Sequence, residues 1–143
     1  MLDRSAVGAT FPPFEYRIDP GEILAFAAAI GDQHPAYAAG EALPPTMATA
    51  WVHRGNPRFH QHLIDLGVNL AMVLHGEEEF SYLAPIRAGD TVSGAVTVLS
   101  IDEKAGRSGA MDLLELETTY AVGGVPSLVA RSLIVVRRPG GGA

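Results

Sequence analysis

Alternating apolar and polar residues in the second half of the chain restrict its possible folds more than any other feature. At residues 91–101 the apolar residues Val92, Val96 and Val98 stand at even positions. The polar residues Thr91, Ser93 and Thr97 stand at odd positions. A period of two is typical of a strand with one buried face. Gly123-Gly124 predicts a tight hairpin turn between strands at 110–122 and about 125–138. The pattern therefore predicts an antiparallel sheet packed on one side.

Two further segments complete the predicted sheet. Residues 72–83, MVLHGEEEFSYL, have the composition of a strand, and Gly89-Asp90 marks a turn before the next one. Alternation places Glu78 on the face opposite to Glu77 and Glu79, so one of these acids faces a pocket or all of them are solvated. A loop, GRSG at residues 106–109, precedes the strand at 110–122, in which Leu114, Leu116, Tyr120 and Val122 share a face.

The first half of the chain carries helix signals. Asp19-Pro20-Gly21-Glu22 has the composition of a capped helix start, and Gly31 is a natural stop. The apolar stripe of this helix would consist of Ile23, Phe26, Ala27 and Ile30. A second helix is predicted from Pro44-Pro45-Thr46 to Gly55-Asn56-Pro57, and a short one over residues 58–66.

Helices followed by a run of antiparallel strands predict an α+β fold with helices packed on one side of the sheet. The length of 143 residues suits a single domain over residues 1–143, with a frayed tail from about residue 139. Hydrophobic residues make up 48 % of the chain, which suggests that a partner covers some of its surface.

Composition also argues against several functions. The formal net charge is −6 and Lys104 is the only lysine, which argues against general nucleic-acid binding. The absence of cysteine excludes disulfides, thiolate nucleophiles and zinc–thiolate sites. The chain has no apolar run typical of a signal peptide or a membrane span. We therefore expect a cytoplasmic protein.

Four stretches, taken in order, carry a family resemblance. They are FAAAIGDQHPAY at 26–37, PPTM at 44–47, LHGEEEFSYLAPIRAGD at 74–90 and SLIVVRR at 132–138. Together they resemble the MaoC-like dehydratase domains of the N-terminal type, which have the hotdog fold, over roughly residues 10–138. The resemblance implies a long central helix, with residues 45–54 as the candidate, wrapped by a curved antiparallel sheet. It also implies edge-to-edge pairing into dimers or pseudo-dimers, with an acyl thioester along the interface.

Active members of the wider group add water to a trans-2-enoyl thioester, or dehydrate the (R)-3-hydroxyacyl thioester. Their catalytic loop carries an aspartate, an asparagine two residues later, a proline, and a histidine five residues after the aspartate. By this resemblance Asp32 and Pro35 match, whereas His34 stands at the asparagine position and Tyr37 at the histidine position. Tyrosine, with a reference pKa of about 10, is a poor base at neutral pH.

Hydration requires a deprotonated water near C3, a proton for C2 and donors for the enolate oxygen. Asp32 is the candidate for holding that water, with His34 or His75 as the replacement base, so these three are the candidate catalytic residues. Structural alternatives remain open. Asp32 can hydrogen-bond the loop backbone after Gly31, and either histidine can be an exposed residue without a chemical role.

Five residues are candidates for substrate binding. Tyr37 could orient a water, and the backbone amides of Thr46 and Met47 could serve as oxyanion donors at a helix start. Met47 and Trp51, one helical turn apart, form either the wall of an acyl tunnel or ordinary core. Gly76 permits a bulge or a close approach of another segment.

Cations and metals give weaker signals. Arg54, Arg58 and Arg87 are the arginines near the candidate loops, available for coenzyme A phosphates or for solubility alone. His60 and His62 are two residues apart, which does not place them on one helix face. We expect no metal and no bound cofactor, with a coenzyme A or carrier-protein thioester as substrate.

Three functions remain at this stage. The first is an (R)-specific enoyl-thioester hydratase or 3-hydroxyacyl dehydratase, as a homodimer. The second is a non-catalytic, acyl-binding subunit that forms a heterodimer with a second hotdog subunit carrying the Asp/His pair, which the Tyr37 departure favours. The third is an acyl-CoA thioesterase that uses Asp32 to activate water.

Overall fold

In the computed structural model, which describes residues 1–106 and 109–138, five antiparallel strands form one sheet. The strands are β1 (Phe14–Arg17), β2 (Val73–Tyr82), β3 (Thr91–Gly106), β4 (Gly109–Val122) and β5 (Val125–Arg137). Their order in the sheet is β1-β3-β4-β5-β2, so β1 and β2 lie at its two edges. The predicted α+β architecture with an antiparallel sheet is confirmed.

The β4–β5 hairpin turns where the sequence predicts. Gly123 and Gly124 have φ angles of 56° and 80°, the left-handed conformation that a two-residue hairpin turn requires, and Val122 pairs with Val125. The predicted loop at 106–109 is shorter, because Gly106 and Gly109 already pair as strand residues. Its residues 107 and 108, like the tail from residue 139, lie outside the described residues.

Register shifts at three places bend the sheet. They fall between His75 and Glu77 in β2, between Val98 and Ser100 in β3, and between Tyr120 and Ala121 at the β4–β5 pairing. An extra residue in one strand increases the local twist and bends the strand. One face of the sheet, which we call the inner face, carries buried residues that include Leu116, Tyr120 and Ile134.

Four short α-helices precede most of the sheet: α1 (Pro20–Ile30), α2 (Pro35–Ala38), α3 (Thr49–Gly55) and α4 (Phe59–Asp65). Single-turn 3-10 helices lie at Arg4–Ala6 and Leu70–Met72. α1 ends as predicted, since Gly31 has a φ of 72° and its N–H donates to carbonyls of the last turn. The stripe prediction is wrong at its end: Ile23 and Ala27 are buried, whereas Ile30 is 49 % exposed. The side chain of Asp19 makes no capping hydrogen bond.

The helix expected at residues 45–54 is shorter than predicted and begins at Thr49. Residues 45–48 form a turn in which the Met47 N–H donates to the Pro44 carbonyl at 3.0 Å, a tighter pattern than that of an α-helix. α3 nevertheless buries Trp51 completely, against Tyr16 on β1 and Tyr120 on β4.

Candidate functional site

Asp32 lies just beyond α1 and is held by the residue that replaces the expected histidine. Its backbone N–H donates to the Ala27 carbonyl at 3.0 Å, which fixes the loop after Gly31. The Tyr37 hydroxyl donates to Asp32 Oδ2 at 2.7 Å. This hydrogen bond raises the pKa of Tyr37, because the neutral phenol is the donor. The partner of the Asp32 carboxylate is therefore a phenol and not an imidazole.

His34 stands beside this pair but is already engaged with the backbone. It is the N-cap of α2, and its Nδ1 accepts a hydrogen bond from the Ala36 N–H at 3.2 Å. Pro35 occupies the first helical position, where a missing N–H has no cost. The centroids of the His34 and Tyr37 rings are 5.7 Å apart. His34 therefore reaches the Asp32 region while one ring nitrogen is used for capping.

A small open cavity of about 170 Å³ adjoins these residues. Asp32 lines it, together with His34 and Tyr37. The rest of its wall comes mainly from α1 and α2: Leu24, Ala27, Ala28, Gln33, Pro35 and Ala38. Asp32 thus faces a crevice, as the catalytic reading requires, but the crevice is at the surface.

A second cavity, of about 220 Å³, lies between helices α3 and α4 and the inner face of the sheet. We call it the inner cavity. Its buried wall is largely apolar and comes from four elements: Ala48 before α3, Phe59 and Leu63 from α4, Leu116 and Tyr120 from β4, and Ala130 and Ile134 from β5. Its more exposed rim carries His60, Leu70 and His75. The inner cavity shares no lining residue with the crevice beside Asp32.

The bulge at Gly76 determines which side chains of β2 enter the inner cavity. His75 pairs with Ile134 and Glu77 with Leu133, so Gly76 is the extra residue. His75 and Glu78 consequently line the same cavity although they are three residues apart. The prediction that Gly76 permits a bulge thus agrees with the register. A Cβ at Gly76 would lie 3.1 Å from the Leu133 carbonyl oxygen.

Glu78 is the acid of the cavity. Ser132 Oγ donates to Glu78 Oε1 at 2.7 Å, and His75 Nδ1 lies 4.0 Å from the same oxygen. The side chain of Glu78 is 24 % exposed, against 58 % for His75. The result is a carboxylate, a hydroxyl and an imidazole grouped at one side of a cavity whose buried wall is largely apolar.

His53 and His60 add two imidazoles to the rim. Their rings stack at 5.3 Å, and His53 also meets the edge of Phe59 at 5.1 Å. Burial lowers the pKa of His53, and the nearby His60 and His75 lower it further. Sequence reasoning did not associate these histidines with a pocket, because they lie in two different helices and become neighbours only through the α3–α4 turn.

The remaining candidates fall elsewhere. Thr46 is exposed, whereas Met47 and Trp51 are buried in the core, and none of the three lines the inner cavity. The Met47 N–H is already bonded to the Pro44 carbonyl and is not free to act as an oxyanion donor. His75 lines a different cavity from Asp32, so the predicted catalytic set is split. Of the three arginines, Arg54 is paired with Glu22 at 2.5 Å, and Arg58 and Arg87 are exposed.

Two features are absent from residues 1–106 and 109–138. No group of three or more His, Cys, Asp or Glu side chains converges in a way that would hold a metal ion. None of the helices combines the length and the apolar character needed to cross a membrane.

Sequence comparison gives two kinds of match. A model of the family described as "FAS1-like, dehydratase domain region" matches residues 5–126. A UPF0336 protein of Streptomyces griseus subsp. griseus is 35 % identical over 116 residues, which are 73 % of this chain and 77 % of that protein. The UPF0336 protein SCO4636 of Streptomyces coelicolor is 32 % identical over 126 residues, 80 % of this chain and 81 % of that one.

Solved structures share the fold at low sequence identity. The C-terminally truncated HadBC (3R-hydroxyacyl-ACP dehydratase) complex of Mycobacterium tuberculosis matches with a TM-score of 0.74 and 22 % identity, over 91 % of this chain and 96 % of that one. A MaoC-like dehydratase of Phytophthora capsici matches with a TM-score of 0.75 and 20 % identity, over 96 % of this chain and 50 % of that one. The (R)-hydratase of A. caviae matches with a TM-score of 0.56 and 20 % identity, over 92 % of this chain and 96 % of that one. The expected hotdog fold and the MaoC-like resemblance are confirmed.

Proposed function

Because the chain belongs to the family of FAS1-like dehydratase domains, we propose that it is the acyl-binding subunit of a two-subunit hotdog hydratase or dehydratase. Its substrate would be a coenzyme A or carrier-protein thioester of a fatty acid, and it would act in the cytoplasm. The partner would be a second hotdog subunit that supplies the Asp/His pair. The observation that carries this proposal is the separation of the inner cavity from Asp32.

The inner cavity has the properties of a site for hydrocarbon. An apolar cavity of roughly 150 Å³ is large enough for benzene, so about 220 Å³ accommodates a longer segment of an acyl chain. Leu63, Leu116 and Ile134 lie in its wall and would give the bound acyl chain an apolar environment. Burial of each methylene contributes about 0.8 kcal/mol to binding before the costs of association.

The chemistry would take place at the partner. In the hydration direction a water hydroxyl adds to C3 of the trans-2-enoyl thioester and a proton adds to C2, which yields the (R)-3-hydroxyacyl thioester. The base that takes the proton from water must titrate near neutral pH. Among residues 1–106 and 109–138, Tyr37 is the one side chain that hydrogen-bonds the Asp32 carboxylate, and a phenol with a raised pKa is not such a base.

Calorimetric titration with decanoyl-CoA tests the proposal on the chain alone. We expect binding by the natural chain, and binding weakened about tenfold or more by Ala130→Phe, because the ring fills the inner cavity. Ala95→Phe is the matched control, since Ala95 alternates with buried Val96 and lies on the outer face of β3. Equal binding by the natural chain and Ala130→Phe would contradict the proposal.

A self-sufficient hydratase is the second candidate, because Asp32 does line a crevice together with His34. The two functions differ in the hydration of trans-2-decenoyl-CoA by the chain alone. The acyl-binding subunit would show no hydration above the uncatalysed rate. Turnover that Asp32→Asn abolishes would instead favour the self-sufficient enzyme, and release of free thiol would indicate a thioesterase.

A further inference from the structure

Strand β2 has a neighbour on one side only. It pairs with β5 over most of its ten residues, and no strand of the described chain pairs with its other edge. Large apolar side chains are exposed at both ends of this edge: Leu70 and Leu74 at one end, at 41 % and 52 %, and Tyr82 and Leu83 at the other, at 43 % and 60 %. A long edge strand with exposed apolar groups is a surface for pairing with another strand.

The middle of this edge is strongly acidic. Glu77, Glu78 and Glu79 are consecutive, and Glu78 turns to the inner cavity while Glu77 and Glu79 lie on the outer face. Glu79 pairs in register with Arg131, but the Arg131 Nε–H already donates a hydrogen bond of 2.8 Å to Glu117 Oε2.

The outer face of this edge therefore keeps excess negative charge. Glu115 on β4 pairs in register with Leu133 on β5, and Leu133 pairs on its other side with Glu77 on β2. A pocket on this face is lined by Glu77, Glu79 and Glu115 together with Arg131, and the Arg131 guanidinium is already paired with Glu117.

The charge pattern opposes pairing of two identical chains. In an antiparallel pair of β2 strands centred on Glu78, Glu77 of one copy would stand opposite Glu79 of the other. By symmetry, Glu79 of the first copy would stand opposite Glu77 of the second. Like charges directly opposite each other across a sheet are destabilising, whereas opposite charges stabilise it. A partner strand with lysine or arginine at these two positions would remove the repulsion and replace it with attraction.

We propose that β2 pairs with a different hotdog chain whose edge strand carries basic residues opposite Glu77 and Glu79. The two carboxylates select that partner over a second copy of the same chain, and the apolar groups at the two ends of β2 supply the buried area. The inference rests on the proposed function, which requires a second hotdog subunit, and adds which edge that subunit occupies and its charge.

The experiment uses a charge-reversed copy of the chain as the basic partner. Glu77→Lys/Glu79→Lys is mixed with the natural chain, and association is measured by sedimentation equilibrium at low and high salt. Glu78 is left unchanged because it contacts Ser132 and His75. At low salt we expect the mixture to associate about tenfold more tightly than either chain alone, and this gain to shrink as salt screens the charges.

Glu15→Lys/Asp102→Lys is the matched control. It alters net charge by the same amount at two exposed positions away from β2. The proposal is overturned if this control associates with the natural chain as tightly as the β2 variant does, or if the natural chain alone dimerises as tightly as the mixture. Neither outcome depends on acyl-CoA binding, so failure here is distinguishable from failure of the proposed function.

Discussion

The Tyr37 hydroxyl and the Asp32 carboxylate form a hydrogen bond of 2.7 Å at the position where the MaoC-like pattern places an Asp/His pair. The tyrosine preserves the contact but changes its chemistry. A neutral phenol holds the carboxylate in place and offers no basic nitrogen to a water. The side-chain contact of Asp32 is therefore with a hydroxyl group that donates a hydrogen bond.

The ionisation of Tyr37 tests this contact directly. We expect Asp32→Asn to lower the pKa of Tyr37 towards the usual tyrosine value, because the neutral amide no longer favours the protonated phenol. Ultraviolet titration at alkaline pH measures it, with Tyr37→Phe identifying which transition is lost. Tyr16 is an internal reference, because burial and Glu22 raise its pKa to about 12. Identical titration curves for the natural chain and Asp32→Asn would contradict the assignment.

The bulge in β2 predicts sensitivity at Gly76. Alanine there would place its Cβ 3.1 Å from the Leu133 carbonyl oxygen and 3.3 Å from Val135 Cγ2, so β2 must shift outwards by a few tenths of an ångström. We expect Gly76→Ala to lower the free energy of unfolding by about 1 kcal/mol and to displace the NMR signals of the His75 ring. Ser81→Ala, at an exposed position of the same strand, should do neither.

His53 predicts a loss of stability in mild acid. Because burial lowers its pKa, the unfolded chain binds more protons than the folded one once the pH falls below the ordinary histidine value of 6.5. The contribution of neutral His53 is therefore complete above that pH and is lost as the pH drops through the lowered pKa. Urea unfolding at several pH values should show a shallower acid decline for His53→Gln than for the natural chain. The exposed His34, replaced by glutamine, serves for comparison, and an unchanged slope in His53→Gln would refute the prediction.

Gly94 predicts a steric limit in the core. A Cβ at this position of β3 would lie 2.7 Å from Phe14 Cε1 and closer still to the tip of that ring, which is buried against Tyr120. We expect Gly94→Ala to destabilise the protein by about 1–3 kcal/mol through overpacking. Thermal unfolding measures the effect. The double variant Gly94→Ala/Phe14→Leu should recover part of the loss, and strict additivity of the two changes would rule out this contact as the cause.

The sheet and the end of α1 were predictable because their signals are local. Alternation at residues 91–101, the Gly123-Gly124 turn and the glycine stop at residue 31 depend on backbone preferences that neighbouring residues determine. The late start of α3 could not be predicted from the sequence. Helix signals at Pro45 and Thr46 do not show that the first turn closes with tighter hydrogen bonds than those of an α-helix.

The inner cavity depends on longer-range relations. His75 and Glu78 share it only because of a bulge, and a strand with plain alternation would place residues three apart on opposite faces. His53 and His60 meet through the packing of two helices. Pairings between segments distant in sequence determine such a site, and the order of residue types alone does not reveal them.

Trp51 is the only tryptophan of the chain, is shielded completely from solvent, and packs edge-on against Tyr120, whose ring forms part of the wall of the inner cavity. Its indole fluorescence therefore comes from one site that is shielded from water. Only the Tyr120 side chain separates this site from a ligand bound in the inner cavity. Such an intrinsic fluorophore should report filling of the space without a label, and the same signal would be lost if the helix carrying it detached from the sheet.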